Sequence, residues 1–186
     1  MSTTDAHLFT PRFAKRLVII NGVVPLALLA YDAWTHNLGA NDVNFATHTT
    51  GILGLLLLVL SLVVTPLRRW IRAPALIAIR RNLGVLAFTY LTLHFAIFFG
   101  FDRGASVSST LHEIATRVYL WFGTFALVAL IPLALTSTDR MVSRLGGRRW
   151  KALHRLAYPI AIASIIHYYL LVKSDTRQPI DRKSVV

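Results

Sequence analysis

Five apolar stretches, each long enough to cross a lipid bilayer, dominate this chain of 186 residues. They cover residues 14–33, 46–66, 82–101, 116–136 and 152–172, and a membrane-spanning helix needs ~20 such residues. Because a bilayer core cannot satisfy free backbone polar groups, only helices or closed barrels span it, and stretches of this length indicate helices. The sequence therefore predicts an all-α integral membrane bundle with five transmembrane helices: a polar tail at 1–12, a transmembrane domain at 13–173 and a short tail at 174–186.

The net charge of +12 is distributed unevenly along the chain. Basic residues are concentrated around the start of the first span and in every second loop: Arg12, Lys15, Arg16, Arg68, Arg69, Arg72, Arg80, Arg81, Arg140, Arg144, Arg148, Arg149 and Lys151. The other loops contain four acidic residues, Asp32, Asp42, Asp102 and Glu113, and few basic ones. This pattern follows the positive-inside rule and predicts a cytoplasmic N-terminus and, with five spans, a C-terminus on the opposite side. Because topology explains the charge, nucleic-acid binding is excluded, and membrane lipid headgroups are the expected partners of the basic loops.

The chain contains no cysteine. Disulfides, thiolate ligation of haem, cysteine-bound iron–sulfur clusters and thiol catalysis are therefore all excluded.

Three histidines, His94, His154 and His167, lie within or at the ends of the apolar stretches. An ionisable side chain in a membrane span is costly and marks a candidate functional site, and imidazole is the usual axial ligand of b-type haem iron. The alternative is a set of core histidines that are satisfied by hydroxyl groups or backbone carbonyls. Three histidines on two spans favour the haem interpretation over this alternative.

Spans three and five run in the same direction and carry His94 and His167 at similar depth, close to their outer ends. The two imidazoles are thus predicted to be the axial ligands of one outer haem. His154 lies ~20 Å lower along a helix and, in a straight helix, about 140° around it from His167, although Pro159 could bend the span. An inner haem, held by His154 alone or with a non-histidine sixth ligand, is left open.

Further polar residues lie close to these histidines. His48 opens span two at the outer face and is a candidate haem or quinone contact, or simply an interfacial histidine. Arg148, Arg149 and Arg155 could pair with haem propionates or a flavin phosphate, although the topology signal alone also explains them.

Five segments together resemble one known family, MsrQ (YedZ), within the ferric-reductase-like transmembrane superfamily. They are THTTG at 47–51, TPLRR at 65–69, RRNLGVLAFTYLTLH at 80–94, LALTST at 133–138 and LGGRRWKALHRLAYPIAIASIIHYYLLVK at 145–173. The family usually has six spans, whereas this sequence predicts five.

The resemblance implies a haem b protein of the bacterial inner membrane, with one or two haems. His94 matches the family's span-three ligand, His154 and His167 match the pair on span five, and His48 matches a histidine of less clear role. Family members pass electrons from ubiquinol or menaquinol, or from a cytosolic flavin reductase with FMN, to a periplasmic molybdopterin methionine-sulfoxide reductase (MsrP-like).

The chain has no GxGxxG or P-loop segment and hence no nucleotide-binding motif of its own. We therefore expect an electron-transfer subunit of an oxidoreductase system that is supplied by a separate donor. The alternatives are a haem-dependent transmembrane reductase of ferric chelates or oxygen, another periplasmic acceptor, or a channel or assembly subunit without a redox role.

Overall fold

The computed structural model describes residues 10–71 and 75–181, and this part of the chain folds into helices and short connections without a strand. The helices are α1 Pro11–Trp34, α2 Asp42–Ile71, α3 Ala75–Ile97, α4 Val107–Thr116, α5 Val118–Leu135, α6 Asp139–Leu145, α7 Gly147–His154 and α8 Ala157–Asp181. A π-helical turn, Phe98–Asp102, continues α3. The all-α prediction is confirmed.

Within residues 10–71 and 75–181, five helical segments are long and apolar enough to cross a membrane: Arg12–Trp34, Asp42–Arg68, Ile79–Asp102, Val118–Leu135 and Gly147–Ser174. They coincide with the five predicted spans. The loop after span three contains a short helix, α4, whose first turn is capped by the Ser106 hydroxyl accepting from the Ser109 amide. Beyond the last predicted span, α8 continues to Asp181, into the segment predicted as a tail.

Two antiparallel helix pairs, α2 with α3 and α5 with α8, form the centre of the bundle and meet along α3–α5 and α2–α8. Small and aliphatic side chains fill the space between them, including Leu58, Ala87, Leu130 and Ile160. Small residues allow helix backbones to approach closely where lipid supplies no hydrophobic driving force. The two pairs thus form a four-helix core.

The helix α1 lies against this core mainly through α3. It passes through Pro25 without ending, as membrane helices tolerate, and most of its side chains face outward. Its closest attachment is the buried Tyr90, whose hydroxyl donates to the Gly22 carbonyl at 2.8 Å. We call the end of the bundle where α1 ends and α4 lies the cavity end, and the end that carries α6 and α7 the basic end.

The last span is interrupted at Arg155 and Leu156, between α7 and α8. Pro159 lies in the first turn of α8, where its missing N–H is tolerated, and its ring would clash with the carbonyl of Arg155 in a continuous helix. The ~140° separation of His154 and His167 that a straight helix would give therefore does not apply to this chain.

Candidate functional site

His94 lies one turn before the end of α3, half-buried and facing α2. Its Nδ1–H donates to the backbone carbonyl of Thr47 at 2.9 Å. On the facing side of α2, Gly51 lies directly beside the ring, since a Cβ atom at this position would be 2.9 Å from Nδ1. The imidazole is thus held by backbone on the neighbouring helix.

His167 of α8 is held in the same way by α5. Its Nδ1–H donates to the Tyr119 carbonyl at 2.7 Å, and Gly123 lies beside the ring. The phenol ring of Tyr119 also contacts the imidazole, with ring centres 5.8 Å apart. In each case the residue that accepts the bond is four positions before the glycine.

These two hydrogen bonds determine the tautomer of each ring. A carbonyl oxygen can only accept, so Nδ1 must carry the proton and Nε2 is left as the unprotonated nitrogen. Metal-ligating histidines are oriented in this manner, with the second ring nitrogen donating to a carbonyl or carboxylate. Both imidazoles are therefore prepared to offer Nε2 as a ligand.

The rings of His94 and His167 lie next to each other, with centres 6.3 Å apart and planes inclined at 80°. Two imidazoles that bind one metal from opposite sides, each at a metal–nitrogen distance of ~2.0–2.1 Å, have ring centres about 6 Å apart. The structure thus brings together the two histidines that the sequence predicts as a pair, at a spacing that suits one shared metal ion.

The two rings line a cavity of about 330 Å³ between α2, α3, α5 and α8. This volume lies within the range of ~300–1,000 Å³ that is typical of cofactor sites. Much of its wall is apolar, and the residues there include Leu55, Leu91, Phe95, Leu127 and Leu171. His48, half-buried on α2, also lines it, so the sequence prediction that His48 lies near this site agrees with its position.

Charged side chains gather where the cavity reaches the cavity end. Glu113 of α4 bridges two arginines, Arg103 at 3.1 Å and Arg117, and Arg103 also pairs with Asp102. Burial lowers the pKa of Arg117, but its contacts with Tyr119 and Glu113 raise it by more, so the net pKa lies above its usual value. Two guanidinium groups and the two carboxylates that pair with them therefore border the cavity.

His154 has different surroundings at the basic end. The Thr136 hydroxyl donates to the Pro132 carbonyl at 2.6 Å, so it accepts from His154 Nε2–H at 3.0 Å. The imidazole also stacks on Trp150, with ring centres 4.0 Å apart. Nε2 of His154, the nitrogen that usually binds iron, is therefore occupied by a hydrogen bond, and His154 does not line the cavity.

The three arginines predicted as anion contacts, Arg148, Arg149 and Arg155, are exposed at the basic end and do not line the cavity. They are therefore not in position to contact a group bound between His94 and His167. His36, in the connection after α1, and His112 of α4 are exposed, and His7 lies outside the described residues.

Sequence reasoning missed the contribution of Gly123, Arg103, Glu113 and Arg117. The i,i+4 spacing of Glu113 and Arg117 is a signal for their ion pair, but which way that pair faces depends on how α4 packs. From the sequence alone, Gly51 indicates only a place where two helices can approach closely. Its position against an imidazole requires the rotation of two helices, which the sequence does not contain.

Comparison with known families gives one matching family profile, described as "Ferric reductase like transmembrane component", over residues 50–165. This segment includes His94 and His154 and ends just before His167. No solved structure matches this chain.

Several curated proteins are similar over most of the chain, and each is named protein-methionine-sulfoxide reductase heme-binding subunit MsrQ. The protein from Herminiimonas arsenicoxydans is 44% identical over 168 residues, covering 89% of this chain and 77% of the relative. The protein from Ralstonia nicotianae is 45% identical over 158 residues, covering 85% and 73%. The protein from Deinococcus radiodurans is 41% identical over 163 residues, covering 88% and 80%.

Proposed function

This chain belongs to the MsrQ family of ferric-reductase-like transmembrane components, and we propose that it is the haem-binding subunit that passes electrons across the membrane to a periplasmic methionine-sulfoxide reductase. The relatives' names give the haem-binding role and the reductase system. The direction of transfer, the donor and an MsrP-like acceptor are part of the proposal.

The observation that carries this proposal is the relation between His94 and His167. Both rings have Nδ1 bound to a carbonyl, both have Nε2 unprotonated, and their centres are 6.3 Å apart across one cavity. This donor set fits a haem iron with two axial imidazoles. A bound haem would supply a one-electron carrier whose potential depends on its ligands, their hydrogen bonds and its burial.

The other residues of the cavity support the same assignment. The apolar wall formed by Leu55, Leu91 and Leu127 excludes water and suits the hydrophobic faces of a tetrapyrrole. Arg103 and Arg117 line the rim beside Asp102 and Glu113, and their guanidinium groups offer further N–H donors to anionic carboxylates of such a ligand. These two arginines, rather than Arg148, Arg149 and Arg155, are the propionate contacts that we propose for the His94–His167 site.

The two ends of the bundle suit different partners. We assign the basic end to the cytoplasm by the positive-inside rule, within the bacterial inner membrane. Its exposed Arg148, Arg149, Lys151 and Arg155 are positioned to meet an anionic group such as FMN of a cytosolic flavin reductase, and ubiquinol or menaquinol is the membrane-soluble alternative donor. The cavity end then faces the periplasm, where the reductase acts as acceptor. His48 is the residue that we propose as a haem or quinone contact on that side.

A second candidate function is reduction of small acceptors such as ferric chelates or oxygen. One observation favours it: the cavity is bordered by polar side chains at the cavity end, including Asn41, Asn44 and Asp102. A small polar oxidant could approach the site there without a partner protein.

The direct test of haem binding uses the full chain purified in detergent, with the haem-to-protein ratio and the dithionite-reduced spectrum as readouts. His94→Ala and His167→Ala are each expected to abolish the low-spin bis-imidazole signal, whereas the exposed control His112→Ala leaves it unchanged. Retention of that signal in either variant, or a wild-type protein that binds no haem, contradicts the proposal.

The direction of transfer and the acceptor are tested in vesicles that contain the reduced protein. An MsrP-like reductase added outside should reoxidise it only when methionine sulfoxide is present. Reoxidation by ferric citrate or oxygen at the same rate without the reductase would instead support the second candidate.

A further inference from the structure

The two helix pairs of the core repeat the same arrangement around their histidines. On α2, a Cβ atom at Gly51 would lie 2.9 Å from Nδ1 and 3.1 Å from Cε1 of His94. On α5, a Cβ atom at Gly123 would lie 2.8 Å from Nδ1 and 2.9 Å from Cε1 of His167. Real Cβ atoms essentially never show separations below 3.0 Å, so no side chain fits at either glycine without moving the imidazole.

The position of each glycine relative to the hydrogen bond explains why both matter. Side chains in an α-helix lean toward its N-terminus, so a side chain at position i covers the helix surface over the preceding turn. The carbonyls that hold the imidazoles belong to Thr47 and Tyr119, each four residues before its glycine. A helical carbonyl is normally occupied by the amide four residues later, and only the missing side chain lets a second donor reach it.

We propose that Gly51 and Gly123 are positioning residues, which expose one backbone carbonyl each so that it accepts the Nδ1–H of His94 and His167 and fixes the rotation of both rings. This inference rests on the proposed haem function. On this proposal, two glycines determine the 80° inclination between the ring planes and leave both Nε2 atoms free. Each glycine lies on the helix that faces its histidine.

Replacement of either glycine by alanine should act through the imidazole. The methyl group displaces the ring, and the Nδ1–H then loses its carbonyl acceptor. Loss of such a partner of a metal-bound histidine lowers the basicity of the ligand and costs ~10–100-fold in affinity. A weaker donor also favours the reduced iron, so the midpoint potential should rise, and the low-spin resonance should change because it depends on the angle between the imidazole planes.

The chain offers two matched controls. Gly54 lies on the same face of α2, and its Cβ atom would lie 2.8 Å from Leu91 and 3.2 Å from Tyr90, without an imidazole among its nearest atoms. Gly84 of α3 has nothing within 4 Å of its Cβ position. Gly54→Ala therefore measures the effect of steric crowding without an imidazole. Gly84→Ala measures the effect of exchanging glycine for alanine in a helix where the methyl group meets nothing.

The experiment compares G51A, G123A, G54A and G84A in the full chain by haem titration, redox titration and electron paramagnetic resonance. We expect weaker haem binding, a raised midpoint potential and an altered low-spin signal in G51A and in G123A, with the two controls unchanged in potential and signal. If G51A and G123A match G54A in these readouts, the glycines only permit helix packing and the inference is wrong.

A second experiment measures the stability of the apoprotein, so it does not need haem and also applies to variants that fold less stably. In the apoprotein, the loss of stability caused by G51A should largely disappear in a His94→Ala background, because the ring that the methyl group strikes is gone. The loss caused by G54A should persist in that background. Equal losses of stability in both backgrounds for G51A would overturn the inference, whereas absence of haem from the wild type would contradict only the proposed function.

Discussion

Trp150 and His154 stack at the basic end of the bundle with ring centres 4.0 Å apart and planes inclined at 25°. The same indole donates its N–H to the carbonyl of Thr136 at 2.9 Å, and the hydroxyl of Thr136 accepts from His154. His154 is therefore part of a closed polar cluster that joins α5 to α7, unlike His94 and His167.

This cluster gives a prediction for His154→Ala. The substitution removes an aromatic contact and a hydrogen bond, and we expect a loss of about 1–3 kcal/mol in the free energy of unfolding. The low-spin His94–His167 signal should remain, since His154 does not line that cavity. Thermal unfolding in detergent and the oxidised spectrum test both parts.

The same variant tests the inner haem that the sequence left open. If His154 binds one, its alanine variant should lose a partly high-spin component and slow reduction from the cytoplasmic side. Loss of all haem from folded protein would contradict the separation of His154 from the outer site.

The bridge between Arg103, Glu113 and Arg117 should stabilise the cavity end. Only 16% of the Glu113 side chain is exposed, so Glu113→Gln leaves two arginines without their shared carboxylate. We expect destabilisation by about 1–3 kcal/mol, below the ~3–5 kcal/mol of a fully buried pair. Chemical unfolding of the full chain measures this loss.

Asp139→Asn is the matched control for that substitution. It removes the partner of Arg81 at the basic end, but the Asp139 side chain is 94% exposed. Surface ion pairs contribute little because water and salt screen them, so the control should unfold like the wild type. Equal losses in both variants would show that burial does not distinguish the two ion pairs.

Tyr90 should determine how firmly α1 is attached. Its side chain is 1% exposed and its hydroxyl donates to the Gly22 carbonyl. We expect Tyr90→Phe to cost about 1 kcal/mol and to increase cleavage by protease between α1 and α2. Tyr169→Phe, at a residue that is 63% exposed, serves as the control and should leave the cleavage rate unchanged.

The membrane orientation can be tested with reporter fusions to the full chain. The basic residues at the start of α1 and around α6 and α7 predict a cytoplasmic N-terminus, and five spans then predict a periplasmic C-terminus. A reporter that is active only in the periplasm should thus report activity at the C-terminus alone. A cytoplasmic C-terminus would require an even number of crossings and a revised depth for His94 and His167.

The features that depend only on position along the chain could be predicted from the sequence. Span length and hydropathy gave all five spans, and counting residues to the span ends placed His94 and His167 at one depth. Features that depend on helix rotation could not be predicted, such as Gly123 against His167 or Glu113 between two arginines. The hydrogen bond between His154 and Thr136 could also not be predicted, because it depends on how α7 lies against the end of α5.

The helix α1 buries few of its side chains, and this affects how the bundle unfolds. In the part of the chain that the structure describes, none of the residues that line the cavity comes from this helix, and its contacts with the core pass mainly through α3. Segments with few buried contacts open locally at a lower free energy than the whole domain. The helix α1 should therefore behave as a separate cooperative unit, whose release from the bundle leaves His94 of α3 and His167 of α8 next to each other.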